Sequence, residues 1–496
     1  MPLLGNTTTI KVAPSGLSPT YNETIFVLES PNIQSTDFQW IIDIWIDGKP
    51  NAVGSIKIST IVILPNPNGF GVVDVQRHIE NYITSTFHPA DKDTMNVAPE
   101  SYRRWSLDIT ESFSDTKWRF ETNKLSVGNV GFINTVDKHP FFNGDVVTIL
   151  QDTPFTHGYY NAVTTLTVVD ENEVTTLIPF VSSTGAEPGL ITLDDKGLRE
   201  INQDIISDVE YQSFNGVINF ADFNTFDGSI YDMSTGNPSA LFLTNIPDSY
   251  ELNRDDPLWI NGYSSSLSFI RMNVITDNGD FFIDPISPVP PINDTYMIQS
   301  KVGYQDLLNT TSTVTVTSGS LPIVDVNTTF INVTPLSGAT QIGETKRFTV
   351  IDKCSKYENI KLFFLDRLGS YIPMNFDRVS IPKTDMQRSN YKQNYGNYDS
   401  VANAWGYTTH ARGTTTYDIT SKKSITCTSD WLTDEQVVLM EILLNSPDVY
   451  YIDEDGVYRA ITITTNTFEE KKRVSTKLLN YTITFEYANN NGNQRG

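Results

Sequence analysis

The sequence predicts a mainly β protein: several small β-sandwich or β-barrel domains in tandem, with a few short helices and a long arm in the C-terminal region. Three observations lead there. Thr and Asn supply 57 and 41 of the 496 residues; Thr fits half-buried pleated surfaces and Asn fits turns. Residues 38–47 alternate well, with Phe38, Trp40, Ile42, Ile44 and Ile46 on one face and Gln39, Asp43 and Asp47 on the other, the period of a strand with one buried side. Turn signals recur at short intervals along the chain, as tandem small β domains require. A length of 496 residues gives three or four domains at ~100 to 200 residues each.

Four domains follow in order. Residues 1–127 form a β-sandwich with one short helix: strands at 24–28, 38–47 and 56–64 are separated by Pro31-Asn32, Asp47-Gly48 and Pro65-Asn66-Pro67-Asn68-Gly69. Asp74 then caps a helix whose apolar stripe is Val75, Ile79, Tyr82 and Ile83, ending before His88-Pro89. Residues 128–198 read as a small barrel, with short strands at 146–150, 163–169 and 174–180. Residues 199–291 form a second sandwich-like domain. It has strands near Phe214 and Phe242, a hairpin signal at Asp277-Asn278-Gly279-Asp280, and a Pro-rich linker at 284–291. The acid-rich stretch 185–208 is expected to hold a helical turn. The last domain, 292–496, carries strands at 310–318, 345–352, 360–365, 458–464 and 479–487. Its one helix, 433–445, starts at a Thr433–Gln436 capping box and stops at Pro447.

Charge narrows the function. Lys and Arg number 35 against 59 Asp and Glu, a formal net charge of −24, which opposes nonspecific binding to phosphate backbones or anionic membranes. Cys354 and Cys427 are too few for a disulfide framework. The start of the chain shows no secretory signal, and no stretch reaches the ~18 apolar residues of a membrane-spanning helix. No nucleophile elbow, phosphate loop or dinucleotide fingerprint occurs. The five histidines, His78, His88, His139, His157 and His410, lie far apart and read as ordinary loop or core residues. Asp194, Asp195, Glu200, Asp204, Asp208 and Glu210 could in principle supply the paired carboxylates of a glycosidase, but in so acidic a chain a solvated face is the expectation. Asp453-Glu454-Asp455-Gly456 reads as a hairpin tip, not a calcium loop. No enzyme, cofactor or metal site is expected.

Residues 382–416 contain few aliphatic side chains and read as a long loop or arm. Here alone basic and aromatic residues interleave: Lys383, Arg388, Tyr391, Lys392, Tyr395, Tyr398 and Arg412. Single-stranded nucleic acid is read by such spacing. Against the overall charge, a subunit interface is the stronger expectation, since Tyr and Arg dominate protein interfaces. The arm is expected to be mobile until a neighbouring copy orders it. Two exposed-aromatic candidates, Trp259 and Trp405, would suit stacking on sugars; Trp259, between Leu258 and Ile260, is expected in the core.

Several blocks together resemble tail-associated virion proteins of phages infecting Bacteroidetes, including crAss-like phages. They are Phe38-Gln39-Trp40-Ile41-Ile42-Asp43-Ile44; Pro65-Asn66-Pro67 with Gly69-Phe70-Gly71 and Asp74-Val75; the segment 139–149; and Phe242-Leu243-Thr244-Asn245-Ile246-Pro247. Leu362-Phe363-Phe364-Leu365-Asp366-Arg367-Leu368-Gly369, Thr428-Ser429-Asp430-Trp431-Leu432-Thr433 and Ser446-Pro447-Asp448-Val449-Tyr450 complete the set. The resemblance implies a non-enzymatic, multi-copy ring, hub or adaptor subunit of the DNA-ejection conduit, assembled in the bacterial cytoplasm and located in the virion tail. Its partners would be copies of itself and neighbouring tail proteins, with genomic DNA passing through unbound and no membrane insertion. The alternative is a tail-tip receptor- or glycan-binding protein.

Overall fold

The computed structural model describes residues 8–34, 37–85, 87, 95–113, 117–127, 130–135, 141, 143–151, 162–169, 173–176, 189–193, 199–202, 209–233, 237–248, 250–254, 256–264, 269–276, 279–284, 296–301, 313–316, 328–352, 356–468 and 479–489. The protein is mainly β, with a few short helices and a long C-terminal-region arm, as its composition predicts. It divides into two compact units, residues 1–84 with 100–229, and residues 85–99 with 230–496.

The first unit is built on the predicted alternation. Gln39–Ile46 buries every second residue, including Trp40, Ile42, Ile44 and Ile46. It pairs with Ile56–Ile63 on one side and Tyr102–Phe113 on the other, in a sheet that continues through Glu210–Phe214 to Leu17–Pro19. Thr9–Val12, Ile25–Glu29 and Phe70–Asp74 form a second sheet. Phe26 of that sheet meets Trp105 and Tyr211 of the first edge-on, with ring centroids 5.9 and 5.1 Å away. These contacts make the sandwich core. The carboxylate of Asp74 accepts from the backbone N–H of Gln76 at 3.0 Å, but the N-cap of the four-residue helix Gln76–Ile79 is Val75, not the expected Asp74.

Six strands pair in a closed ring, a small barrel: Lys117–Val127, Val130–Thr135, Glu173–Thr176, Ala162–Val168, Val146–Gln151 and Gly189–Leu193. Two expectations change here. The barrel takes in Lys117–Val127, one strand before the expected boundary at 127. The described parts of 185–208, Gly189–Leu193 and Arg199–Asn202, are strands and not a helical turn. Arg199–Asn202 returns to pair with Tyr102–Phe113, so the barrel is inserted between strands of one sheet. Composition marks a barrel, but pairing between strands so distant in sequence leaves no local trace.

The second unit has a ten-stranded and a seven-stranded sheet. The ten-stranded one runs from Ile381–Lys392 through Thr414–Thr428, Thr482–Tyr487, Tyr458–Ile463, Val449–Ile452, Ile360–Leu365, Tyr371–Phe376, Trp259–Ser264 and Tyr296–Lys301 to Met95–Val97. Strands on both sides of residue 292 thus share a sheet, and the separate second sandwich expected for 199–291 gives way to one larger unit. Phe269–Thr276 and Gly279–Asp284 form the predicted hairpin, Thr276 facing Gly279; its tip residues 277–278, the linker stretch 285–291 and the tail 490–496 lie outside the described residues. The helix is Asp434–Asn445, with both capping-box hydrogen bonds between Thr433 and Gln436 present. Two of the quoted blocks meet: buried Asp366 accepts from Asn245 N–H at 2.6 Å and from Asn245 Nδ2 at 2.8 Å, while Ser370 Oγ donates to the Leu243 carbonyl at 2.6 Å.

Candidate functional site

The stretch 382–416 is not a loop. Ile381–Lys392 pairs antiparallel with Thr414–Thr428 from Ile381↔Thr426 to Lys392↔Thr414, and Gly396–Asp399 pairs with Ala404–Tyr407 beyond it. The result is a two-stranded ribbon exposed almost throughout. Backbone pairing, not apolar burial, shapes it, and this corrects the expectation of a long loop. Few aliphatics signalled little core, yet the Thr- and Tyr-rich run 414–420 has high strand propensity.

The aromatic residues gather in pairs. Ser389 faces Asp418 and Asn390 faces Thr416, leaving Tyr417 as a bulge residue, and its ring lies 6.2 Å from that of Tyr391. Tyr395 meets Tyr407 edge-on at 5.5 Å. Tyr398 sits across from Trp405, and the indole lies over Gly396, where a Cβ would come within 2.2 Å of the ring. The turn between these strands is stiffened locally. Asp399 Oδ1 accepts from the N–H groups of Val401 and Ala402, Tyr398 donates to Asn403, and Asn403 takes a left-handed φ of 50°. Trp405 remains 58% exposed and Val401 96%. Tyr407, Tyr417 and Gly396 escaped the sequence reading; the cross-strand alternation of the ribbon was the signal.

Of the predicted interface cations, Lys383 lies at the root of the ribbon and pairs with Asp385 at 2.8 Å. Arg388, Lys392 and Arg412 form no ion pair among the described residues. Lys392 faces Thr414, and the Arg412 carbonyl accepts from Gln393, which brings these two cations to the same stretch of ribbon. Lys383 and Arg388 stand apart from them.

Beside the root, in the same unit, a cleft of about 640 Å³ opens between Glu358, Ser421, Lys423, Tyr451, Tyr487 and the turn 453–459. The Asp453-Glu454-Asp455-Gly456 turn is the predicted hairpin tip, with Gly456 at φ 74°. Backbone N–H groups of Val457 and Asp455, together with Arg459, hold the Asp453 carboxyl below its usual range. Burial first, then the negative charge of Glu358, push the Tyr451 hydroxyl up to about 12. Glu358, Glu454 and Asp455 form no ion pair among the described residues.

The remaining candidates are dispersed. Trp259 is 2% exposed and packs on Phe363 at 4.7 Å, in the core as expected. His78 and His410 are on separate units; His88, His139 and His157 lie outside the described residues, as do Asp194, Asp195, Asp204 and Asp208. Among the described residues no group of His, Cys, Asp or Glu is arranged to hold a metal ion, and no helix is long and apolar enough to cross a membrane.

No family model matches the chain, and no curated protein matches its sequence. Among solved structures, trypsin-activated alpha-2-macroglobulin from Escherichia coli aligns with 96% of this chain at 7% identity and a TM-score of 0.12. The chain spans 41% of that structure's length. So low a score carries no argument about fold or function.

Proposed function

We propose that the chain is a non-enzymatic structural subunit of a phage tail, present in several copies around the DNA-ejection conduit, with the ribbon reaching a neighbouring copy. One observation supports this most: the ribbon projects a dense set of exposed aromatics on a pre-ordered backbone, and exposed apolar patches of this kind mark interaction surfaces. Pre-ordering lowers the entropy lost on docking. The charge of −24 fits a conduit to which DNA does not adhere. The site in this reading is Arg388, Tyr391, Lys392, Tyr395, Tyr398 and Arg412, with Lys383 at its base. The exposed indole of Trp405 favours a second reading, a tail-tip protein that binds a receptor or glycan, because a free aromatic face stacks on sugar rings. The mass of the protein in solution, measured across concentration, tests the first reading. A multimer that dissociates when 386–417 is replaced by a tight turn is expected. A monomer at every concentration whose Trp405 fluorescence responds to host glycans supports the second.

A further inference from the structure

We infer that the receptor for the ribbon is the cleft at the root of the same ribbon on the next copy, so that subunits join head to tail. This rests on the multi-copy reading above. Charge complementarity carries it. Three cations on the arm, Arg388, Lys392 and Arg412, and three carboxylates of the cleft, Glu358, Glu454 and Asp455, form no ion pair among the described residues. The two sets are opposite in sign, and with Lys423 and the Asp453–Arg459 pair counted the cleft lining still holds four acids against two bases.

The cleft wall also includes the half-buried Tyr487, whose ring lies 6.2 Å from that of the buried Tyr451 and can receive an aromatic side chain of the arm. Lys392 and Arg412 cannot serve their own cleft while the ribbon is extended, whereas Arg388, opposite Ile419, stands about 13 Å along the strand from Lys423. Lys423 lines the cleft and Thr414 faces Lys392 along one unbroken strand, and at ~3.3 Å per residue these positions are about 30 Å apart. Joining by the ribbon's outer edge is disfavoured: Pro382 lacks an N–H, and Lys383, Asp385 and Arg388 charge that strand, features that protect sheet edges from pairing. An arm-to-cleft contact uses different surfaces on the two partners, and such contacts repeat into rings when the rotation closes.

Two full-length variants test it. One reverses the arm (R388E, K392E, R412E) and the other reverses the cleft (E358K, E454K, D455K); every substituted residue is exposed, and denaturation midpoints confirm folding. Each variant alone should assemble about tenfold or more weakly than the parent. Mixed in equal amounts they should assemble again, since each arm then meets a cleft of opposite charge. If the parent assembles and the cleft-reversed variant assembles equally well, the arm docks elsewhere and this inference falls while the multi-copy reading stands. Loss in both variants without recovery on mixing also overturns it. A parent that stays monomeric at all concentrations overturns the multi-copy reading itself.

Discussion

Glu111 is fully buried and forms no ion pair among the described residues. It accepts hydrogen bonds from Thr8 Oγ1 and, at 2.8 Å, from Asn32 Nδ2, while Trp40 Nε1 donates to Thr8 at 2.9 Å. One carboxylate of the first sheet therefore ties down the residues that flank two strands of the second, Thr8 before Thr9–Val12 and Asn32 after Ile25–Glu29. Glu111→Ala removes the acceptor for two buried donors and is expected to destabilise the first unit by about 2–4 kcal/mol, read from its denaturation midpoint; a change under about 0.5 kcal/mol would mean water satisfies both donors. Cys427 is a second buried group, and burial pushes its thiol up to about 12 from 9.0. The unfolded chain loses this proton first, so the native state binds more protons between those values and stability falls as pH rises through them. The thiolate is the reactive form, and Cys427 should therefore resist alkylation at pH 8 until the protein unfolds. Peptide-resolved mass spectrometry checks this, and fast labelling of the native protein would refute it.

At the scale of elements, local signals served well and long-range ones did not. The alternation from Trp40 to Ile46, the Thr433–Gln436 box and the Thr276–Gly279 hairpin are each written within about ten residues, and each appears where expected. Thr433→Ala should cost about 1 kcal/mol by removing one cap, measured as a lower denaturation midpoint. The ribbon was harder to read because its order comes from pairing Ile381 with Thr426 across the whole arm, and composition alone resembles a loop. Its candidate residues were legible as a set, but their pairing was not: Gly396 gave no sign of lying under Trp405. That glycine makes a sharp test. In Gly396→Ala the new methyl must displace the indole, since 2.2 Å is far inside contact distance, so Trp405 emission should shift toward that of free indole in water and assembly should weaken. Hydrogen exchange on the free chain should already protect alternate amides of Ile381–Lys392, unlike a loop ordered only by a partner.

For the whole molecule, domain boundaries were the least legible feature. The chain leaves a sheet after Phe113, builds a barrel and returns at Arg199, and no local composition records that return. Net charge, by contrast, is read directly from sequence and makes a claim about the entire protein. With 59 acids against 35 bases, duplex DNA approaches a surface of its own sign, and binding would require enough clustered cations to displace counterions from phosphate. The cations that form no ion pair on the ribbon are few, and in the head-to-tail assembly they face carboxylates. Duplex DNA is therefore expected to bind weakly at physiological salt, and assembly should weaken the interaction further by covering Arg388, Lys392 and Arg412. Fluorescence anisotropy of a labelled duplex, titrated with monomeric and assembled protein at several salt concentrations, measures both effects. Tight binding with a steep salt slope, abolished in the arm-reversed variant, would make the ribbon a nucleic-acid reader and remove the argument for a non-adherent conduit.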